Sequence, residues 1–365
     1  MFLLMLLTSL SSLALNGTIF FGNDEFKFFQ LGNNDSLYSD EKIIRVTRDF
    51  LGYHYILHFL GSVFPQEIFQ WSVKSLSIIA FTLGGVVIWW MFQSKLALVA
   101  YYTQPLLIYY GIIGVRDSLA TALFIFFIFC VIKEKRTYQV ICVLAAFFIR
   151  PELALILAVL KTMLLSFRFR SFAIICVTVL ALALFPFIGH LKNVIQTTRY
   201  IKPCNDPGVS CFLRSLPFPV NITAIGFVGL SGTFLHQSTF QLDSAHEFKE
   251  KGLVVKNTEF VPGKILKALG IAYLNISFPF LVFQFYHSYR RILKKRASIY
   301  DQIFCCCCVL IFAQSSISTE LGKLSMYHAY IYSYLAVLTK NRDNFLILFI
   351  LGVLFFTTLS SISFM

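Results

Sequence analysis

Acidic and basic side chains are concentrated in one stretch near the start of the chain, GNNDSLYSDEKIIRVTRDF, at residues 32–50. The charged residues of this stretch are Asp35, Asp40, Glu41, Lys42, Arg45, Arg48 and Asp49. A carboxylate can act as a general base toward a hydroxyl group. An arginine fork binds phosphate oxygens in a bidentate manner and stabilises negative charge on a phosphate. The residue types of this stretch therefore predict proton abstraction beside a bound phosphate.

Three later motifs carry the same residue types at the ends of apolar runs. They are VRDS with Arg116 and Asp117, IRPE with Arg150 and Glu152, and STELGK with Glu320 and Lys323. Each also has a purely structural interpretation. The first could be a salt-bridged helix boundary, the second a helix end followed by an acid that the helix dipole favours, and the third a solvated turn. The opening stretch could likewise be a solvated loop.

The elements that position these residues are membrane helices. The chain is 57% hydrophobic and only 13% charged, with a mean hydropathy of +0.73, whereas a soluble protein carries about a quarter charged residues. Apolar runs of spanning length recur from end to end, and runs such as LATALFIFFIFCVI do not alternate as barrel strands do. The sequence predicts an all-α, polytopic integral membrane protein.

The basic residues predict the orientation. They cluster in short gaps at Lys95, KEKR (133–136), RFR (168–170), RRILKKR (290–296) and KNR (340–342). The positive-inside rule places these gaps in the cytoplasm, together with the amino terminus. The net charge of +13 is explained in this way and does not indicate nucleic-acid binding.

About eleven transmembrane helices are predicted, within a range of nine to twelve. The first is interpreted as an uncleaved span, although a signal peptide is the alternative. The pair around RPE could instead be a re-entrant hairpin. The predicted spans are 1–21, 74–94, 97–114, 117–133, 137–150, 152–167, 171–189, 265–288, 301–317, 326–340 and 344–364.

Residues 1–365 are thus expected to form a single transmembrane domain with two larger external loops, at 22–73 and 190–264. The second half of the first loop has the aromatic composition of helices that lie at the membrane interface. In the second loop, Cys204 and Cys211 could form a disulfide outside the cytoplasm. The other cysteines, including the run Cys305–Cys308, lie in apolar stretches, where a thiol behaves as a small hydrophobe.

This topology brings all four charged motifs to the external face. Charged groups at a membrane edge are costly, so they usually pair and often mark a functional site. Acids and arginines there suit a lipid-linked substrate with a phosphate or diphosphate. The sequence contains no Gly-rich dinucleotide fingerprint, no P-loop and no H-E-x-x-H pattern, so neither nucleotide-driven chemistry nor a zinc site of that kind is indicated.

Two features of the sequence resemble known membrane enzymes. One span followed by an external loop with DSLY…DE and juxtamembrane helices resembles the GT-C class of polyprenyl-phosphate-sugar-dependent glycosyltransferases. PLLIYYGIIGVRDSLATALFIFF and FFIRPELALIL resemble segments of bacterial Wzy-type O-antigen and capsule polymerases. The resemblance implies a polymerase that joins undecaprenyl-diphosphate-linked oligosaccharides on the external (periplasmic) side of the bacterial inner membrane. Its implied partners are membrane lipid and the chain-length regulator and flippase of the same pathway.

The resemblance also implies roles for individual residues. Asp35 or Asp40, with Glu41 in the same cluster, takes the place of the loop carboxylate that serves as base or metal ligand; a divalent cation is therefore left open as a cofactor. Arginines and other polar residues are expected to bind the lipid diphosphate or the glycan. These expected substrate-binding residues are Arg45, Arg48, Arg116, Arg150, Arg199, Arg214, Glu320 and Lys323.

Three alternatives to a polymerase remain open. A simpler GT-C enzyme would move one sugar from a polyprenyl-monophosphate donor. A flippase or transporter of lipid-linked glycans would show paired repeats, helices broken at matching positions and charges near the middle of the membrane; the sequence has no such repeat. A structural or assembly subunit would tolerate replacement of the external polar residues.

Overall fold

The structure is a computed structural model that describes most of the chain in several segments. The described residues are 51–112, 116–167, 246–250, 253–257, 261–317, 321–339 and 349–354. Ten helices with defined bounds lie in these segments. They are α1 (Leu51–Val63), α2 (Gln66–Phe92), α3 (Lys95–Thr103), α4 (Pro105–Ile112), α5 (Asp117–Ile132), α6 (Arg136–Ile149), α7 (Pro151–Ser166), α8 (Val261–Leu293), α9 (Ile299–Ile317) and α10 (Leu321–Thr339).

One hairpin accompanies the helices. Strand β1 (His246–Glu250) pairs with β2 (Leu253–Asn257) in antiparallel register, from His246 opposite Asn257 to Glu250 opposite Leu253. This hairpin falls in the second predicted external loop and was not expected. The helical prediction is confirmed for the rest of the described chain.

Two helical segments are long and apolar enough to cross a membrane, Trp71–Phe92 and Ala268–Leu293. Shorter apolar helices lie at Asp117–Ile132, Arg136–Ile149 and Ile299–Phe312. Helix α6 also exposes a large apolar face, in which Phe147 and Phe148 are each about 60% exposed. Such a face suits contact with lipid better than contact with water. These features agree with a membrane protein, while the number of spans and the side of each end stay predictions.

Several predicted helix boundaries differ from the structure. The span predicted at 265–288 is part of Val261–Leu293, and the one predicted at 326–340 begins at Leu321. The span expected at 97–114 is two helices, because Pro105 cannot continue the hydrogen bonding of α3 and the residue before a proline disfavours the helical conformation. Gln104 at this break has φ −69° and ψ 117°. Helix α2 begins at Gln66, directly after Pro65, so the loop predicted to reach residue 73 ends earlier. The start of α2 was predicted too late because several residues of its first turns are polar.

Ring contacts and hydrogen bonds show that several helix ends meet at the same end of the bundle. Trp90 near the end of α2 lies 6.2 Å from Phe129 near the end of α5, measured between ring centroids. The Tyr300 hydroxyl at the start of α9 donates to the Met91 carbonyl at 3.2 Å. The turns at 93–94, 133–135 and 294–298 all lie here, and we call this the basic end because it carries KEKR and RRILKKR.

A buried carboxylate, Asp301, connects three helices at the basic end. Its Oδ1 accepts hydrogen bonds from the hydroxyls of Ser288 (2.6 Å) and Tyr334 (3.0 Å). Its Oδ2 lies 3.2 Å from Nη1 of Arg291 and accepts from the hydroxyl of Ser298 at 2.9 Å. The Ser298 hydroxyl in turn accepts from the Asp301 backbone N–H, so the pair forms a capping box at the start of α9. Asp301 thereby joins α8, α9 and α10.

Helix α10 is the central helix of the described bundle. Every side chain from Ser325 to Leu335 is buried, and α10 packs against α3, α5 and α9. The cysteine run Cys305–Cys308 of α9 is buried, with all four thiols free. The prediction that this run is apolar helix is confirmed, and the structure places it in the core.

Candidate functional site

The site is built around the sharp turn between α6 and α7. The Arg150 backbone N–H donates to the Ala146 carbonyl at 2.7 Å and closes α6. Pro151 then occupies the first position of α7, where its missing N–H costs nothing. Arg150 itself has extended backbone, which directs its side chain away from both helix axes toward the start of α5. The IRPE sequence therefore produces a tight, fixed corner.

Arg150 forms ion pairs with two carboxylates at this corner. Its Nη1 lies 2.8 Å from Oδ1 of Asp117, and its Nε lies 3.3 Å from Oε2 of Glu152. The exposed fractions of the three side chains are 5% for Arg150, 17% for Asp117 and 54% for Glu152. A buried guanidinium is tolerated only when it is paired and hydrogen-bonded. We call these three residues the Arg150 cluster.

The first turn of α5 brings Arg116 beside the cluster. Asp117 is the first residue of α5, where the helix dipole favours an acid. Arg116 precedes it and is half-buried. The Ser118 hydroxyl donates to the Tyr110 carbonyl at 2.5 Å and ties α5 to the end of α4. Two arginines and two carboxylates thus lie at the end of the bundle opposite the basic end.

Helices α9 and α10 contribute polar groups next to the Arg150 cluster. The Tyr327 hydroxyl is 2.8 Å from Oε1 of Gln314, to which it donates a hydrogen bond. Thr121 and Ser325 bring their hydroxyl oxygens to 3.5 Å of each other. Thr121 is one helical turn after Asp117 on α5, so the Thr121–Ser325 pair lies close to the cluster. None of these four residues was singled out from the sequence, because their roles depend on contacts between distant helices.

The chemistry available to the Arg150 cluster is that of an anion site with an adjacent acid. A guanidinium presents five N–H donors in a planar fork, so a side chain that holds two carboxylates has the geometry to bind a phosphate oxygen as well. Glu152 is the more exposed of the two carboxylates. Within the described residues, no group of three or more His, Cys, Asp or Glu side chains could hold a metal ion.

Most of the other predicted site residues lie outside the described residues. Lys323 is in the first turn of α10, and the structure describes only its backbone. Arg116 and Arg150 are the predicted site residues whose surroundings are described. Those outside the described residues are Asp35, Asp40, Glu41, Arg45, Arg48, Arg199, Cys204, Cys211, Arg214 and Glu320.

Lys74, Gln104 and His328 are among the buried polar residues that were missed in the sequence. Lys74 is fully buried in α2, Gln104 at the break between α3 and α4, and His328 in α10. Lys74 was visible as a lone cation near the start of an apolar run, and Gln104 as a polar residue before proline. His328 stands among aromatic residues in MYHAYIYSYL, a pattern that gives no sign of which helices surround it.

Comparison with known proteins identifies no relative of this chain. No family model matches the chain, no curated protein matches its sequence, and no solved structure matches its fold.

Proposed function

We propose that the protein is a membrane polymerase that joins undecaprenyl-diphosphate-linked oligosaccharide repeat units of a surface polysaccharide, either O antigen or capsule. The observation that carries this proposal is the Arg150 cluster, a buried arginine paired with two acids at the end of the bundle opposite the basic turns. By the positive-inside rule the basic end faces the cytoplasm. The cluster would then face the outside of the bacterial inner membrane, where lipid-linked repeat units are joined.

In the proposed reaction, a hydroxyl of the terminal sugar on one lipid-linked unit attacks the anomeric carbon of another. The bond between that carbon and the diphosphate oxygen breaks, and a carboxylate accepts the hydroxyl proton. Asp35 and Asp40, with Glu41, are the proposed proton acceptors. Arg116 and Arg150 bind the departing diphosphate and stabilise its charge. Arg45, Arg48, Arg199, Arg214, Glu320 and Lys323 are proposed to bind the substrates.

The geometry of the Arg150 cluster supports the proposed role of Arg150 in stabilising the departing diphosphate. A diphosphate leaves with more negative charge than it carries as an ester, and a preorganised cation stabilises that charge without reorganising. Arg150 is held in place by Asp117 and by the corner at Pro151, so its position is fixed before substrate binds. A lysine at the end of a flexible stem would lack this preorganisation.

A transporter of lipid-linked glycans is the second candidate function. The break at Gln104 between α3 and α4 favours it, because helices interrupted within the membrane are typical of transporter binding sites. A single-sugar GT-C transferase remains the third candidate function.

Deletion of the gene distinguishes the three candidate functions. Single-repeat caps indicate a polymerase, one missing sugar a transferase, and cytoplasmic accumulation of lipid-linked units a flippase.

Alanine substitution of the proposed site residues should abolish long-chain glycan. We expect Asp35→Ala, Asp40→Ala and Arg116→Ala each to insert into the membrane at the wild-type level and to lose the glycan ladder on a gel. Arg296→Ala, which removes an exposed arginine from the basic end, is the matched control and should keep the ladder. A normal ladder in a variant that carries all three site changes would exclude this site.

Labelling with a membrane-impermeant thiol reagent tests the orientation. Single cysteines at Ser36 and Gln241 should react in intact cells, and a cysteine at Lys135, in the exposed turn between α5 and α6, should react only after the cells are permeabilised. The opposite pattern would place the Arg150 cluster in the cytoplasm and would contradict the proposed reaction, whose substrates are external.

A further inference from the structure

The break between α3 and α4 interrupts a helical segment near its middle. Lys95–Thr103 and Pro105–Ile112 flank Gln104, whose side chain is fully buried. Backbone that leaves the helical conformation inside an apolar bundle is tolerated where protein surrounds it or where it lines a polar site. The buried side chains at the break indicate which of these two cases applies here.

Two buried side chains, one at this break and one in α10, have no hydrogen-bond partner among the described residues. Neither the amide nitrogen nor the amide oxygen of Gln104 has one among the described residues, and the same holds for both ring nitrogens of His328. Both residues are 0% exposed. Because an unsatisfied buried polar group is destabilising, such a group in a native protein requires an explanation. Leucine at either position would be more favourable if packing were its only role.

Neighbours of the two residues contact one face of α8. Leu106, two residues after Gln104, packs on Gly270, where an added Cβ would meet its side chain. The ring of His328 lies 5.8 Å from that of Tyr332, which lies 5.0 Å from that of Tyr273. Gly270 and Tyr273 are three residues apart on α8 and so share one face of the helix.

Polar groups of α8 continue along this face. The Ser277 hydroxyl is hydrogen-bonded to the Tyr332 hydroxyl at 3.0 Å. Pro279 lacks the N–H that would continue the hydrogen bonding of α8. Tyr273, Ser277, His328 and Tyr332 thus form one stripe of polar groups in contact with one another, and the packing of Leu106 on Gly270 brings the break at Gln104 to the neighbouring turn of α8.

We propose that Gln104, at the break between α3 and α4, and His328 form a site in the bundle interior for a neutral ligand that bears hydroxyl groups. An amide both donates and accepts hydrogen bonds, and so does a neutral imidazole. A hydroxyl group does the same and satisfies either partner. Gln104 and the polar residues of the stripe, Tyr273, Ser277, His328 and Tyr332, carry no formal charge at neutral pH, so an ionic ligand would lack a counter-charge among them. The ligand is water or a carbohydrate hydroxyl.

Hydroxyl-radical footprinting of the full chain in a sugar-free detergent tests this site. Tyr332 should be labelled several-fold faster than Tyr327 and Tyr330, because radicals form where water is held. Tyr327 and Tyr330 are equally buried tyrosines of α10 whose hydroxyls bond to Gln314 and to the Tyr300 carbonyl. Equal labelling of the three tyrosines would overturn the proposal.

Two further arms identify the ligand and the residues that hold it. Exchange into dodecyl maltoside should protect Tyr332 if the ligand is a carbohydrate hydroxyl, and should leave its labelling unchanged if the ligand is water. Gln104→Leu should reduce Tyr332 labelling to the rate of Tyr327, whereas His328→Gln, which keeps a hydrogen-bonding side chain, should preserve it. Undiminished labelling in Gln104→Leu would overturn the assignment. These readouts do not depend on glycan synthesis and are independent of the proposed reaction.

Discussion

Replacing Arg150 with alanine is expected to abolish long-chain glycan and to lower the free energy of unfolding by about 3–5 kcal/mol, the usual cost of removing one partner of a buried ion pair. The loss of stability arises because Asp117, 17% exposed, would keep its charge without its cation. The measurements are the glycan ladder in cells and the thermal unfolding of the purified protein. Arg290→Ala is the matched control, since Arg290 is exposed and its guanidinium lies over the ring of Tyr286.

A double variant separates the structural role of Arg150 from its proposed role in catalysis. Arg150→Met combined with Asp117→Leu removes both buried charges, and such replacements are often neutral or stabilising. We expect the double variant to regain most of the stability that Arg150→Ala loses and to remain without long-chain glycan. If the double variant restored the ladder together with the stability, Arg150 would be a structural residue and the diphosphate would be bound elsewhere.

Arg150→Lys provides a finer test of the same residue. A lysine keeps the charge near Asp117 but has no planar fork, so it cannot hold Asp117 and Glu152 in the observed geometry while also binding a phosphate oxygen. We expect this variant to fold with a smaller loss of stability than Arg150→Ala and to make a strongly shortened ladder. A full-length ladder would show that charge alone is sufficient at this position.

Replacing Asp301 with alanine is expected to destabilise the protein by about 3–5 kcal/mol, because removing a buried charged partner leaves the groups around it unsatisfied. Ser288, Tyr334, Arg291 and Ser298 all contact its carboxylate. Thermal unfolding of the purified variant measures the effect. At a permissive temperature the glycan ladder should persist, because Asp301 lies at the basic end, far from the Arg150 cluster.

Glu134→Gln is the control for Asp301. Glu134 is an acid at the same end of the bundle, in the exposed turn between α5 and α6, and a surface substitution of this kind changes stability by about 0.5 kcal/mol or less. The stability of Asp301→Asn should lie between those of Asp301→Ala and Glu134→Gln. Its amide oxygen can still accept a hydrogen bond from Ser288, but its amide nitrogen cannot accept one from Ser298. An Asp301→Ala variant as stable as Glu134→Gln would contradict the role of Asp301 in joining α8, α9 and α10.

Features encoded by neighbouring residues could be predicted from the sequence. The corner at Arg150 was predicted because Pro151 ends one helix and begins another, and the turn at KEKR because charged residues interrupt an apolar run. The structure bears out both positions, with α6 at Arg136–Ile149 and α7 at Pro151–Ser166. The break at Gln104 was missed although Pro105 was visible, because the uninterrupted hydropathy of the segment outweighed the proline.

Features that depend on distant residues could not be predicted in the same way. Asp301 follows the basic run RRILKKR in the sequence, and its partner Tyr334 lies on another helix. Arg150 and Asp117 were expected on one face of the membrane from the topology, but their contact at 2.8 Å requires the packing of α5 against α6 and α7. Such contacts between side chains of different helices depend on three-dimensional packing, which cannot be predicted from a single sequence.

The central position of α10 has a consequence for synthesis of the protein. Its hydroxyl-bearing side chains bond to groups that are made earlier, such as Thr121, the Tyr300 carbonyl and Asp301. During synthesis, α10 therefore leaves the ribosome after these partners. If α10 were exposed to lipid before it docked, its hydroxyl groups would have no hydrogen-bond partners. Docking against α5 and α9 is therefore expected to accompany insertion of the span predicted at 326–340. Polypeptides that end before residue 321 should leave the cleft between these helices open and be targets for membrane proteases.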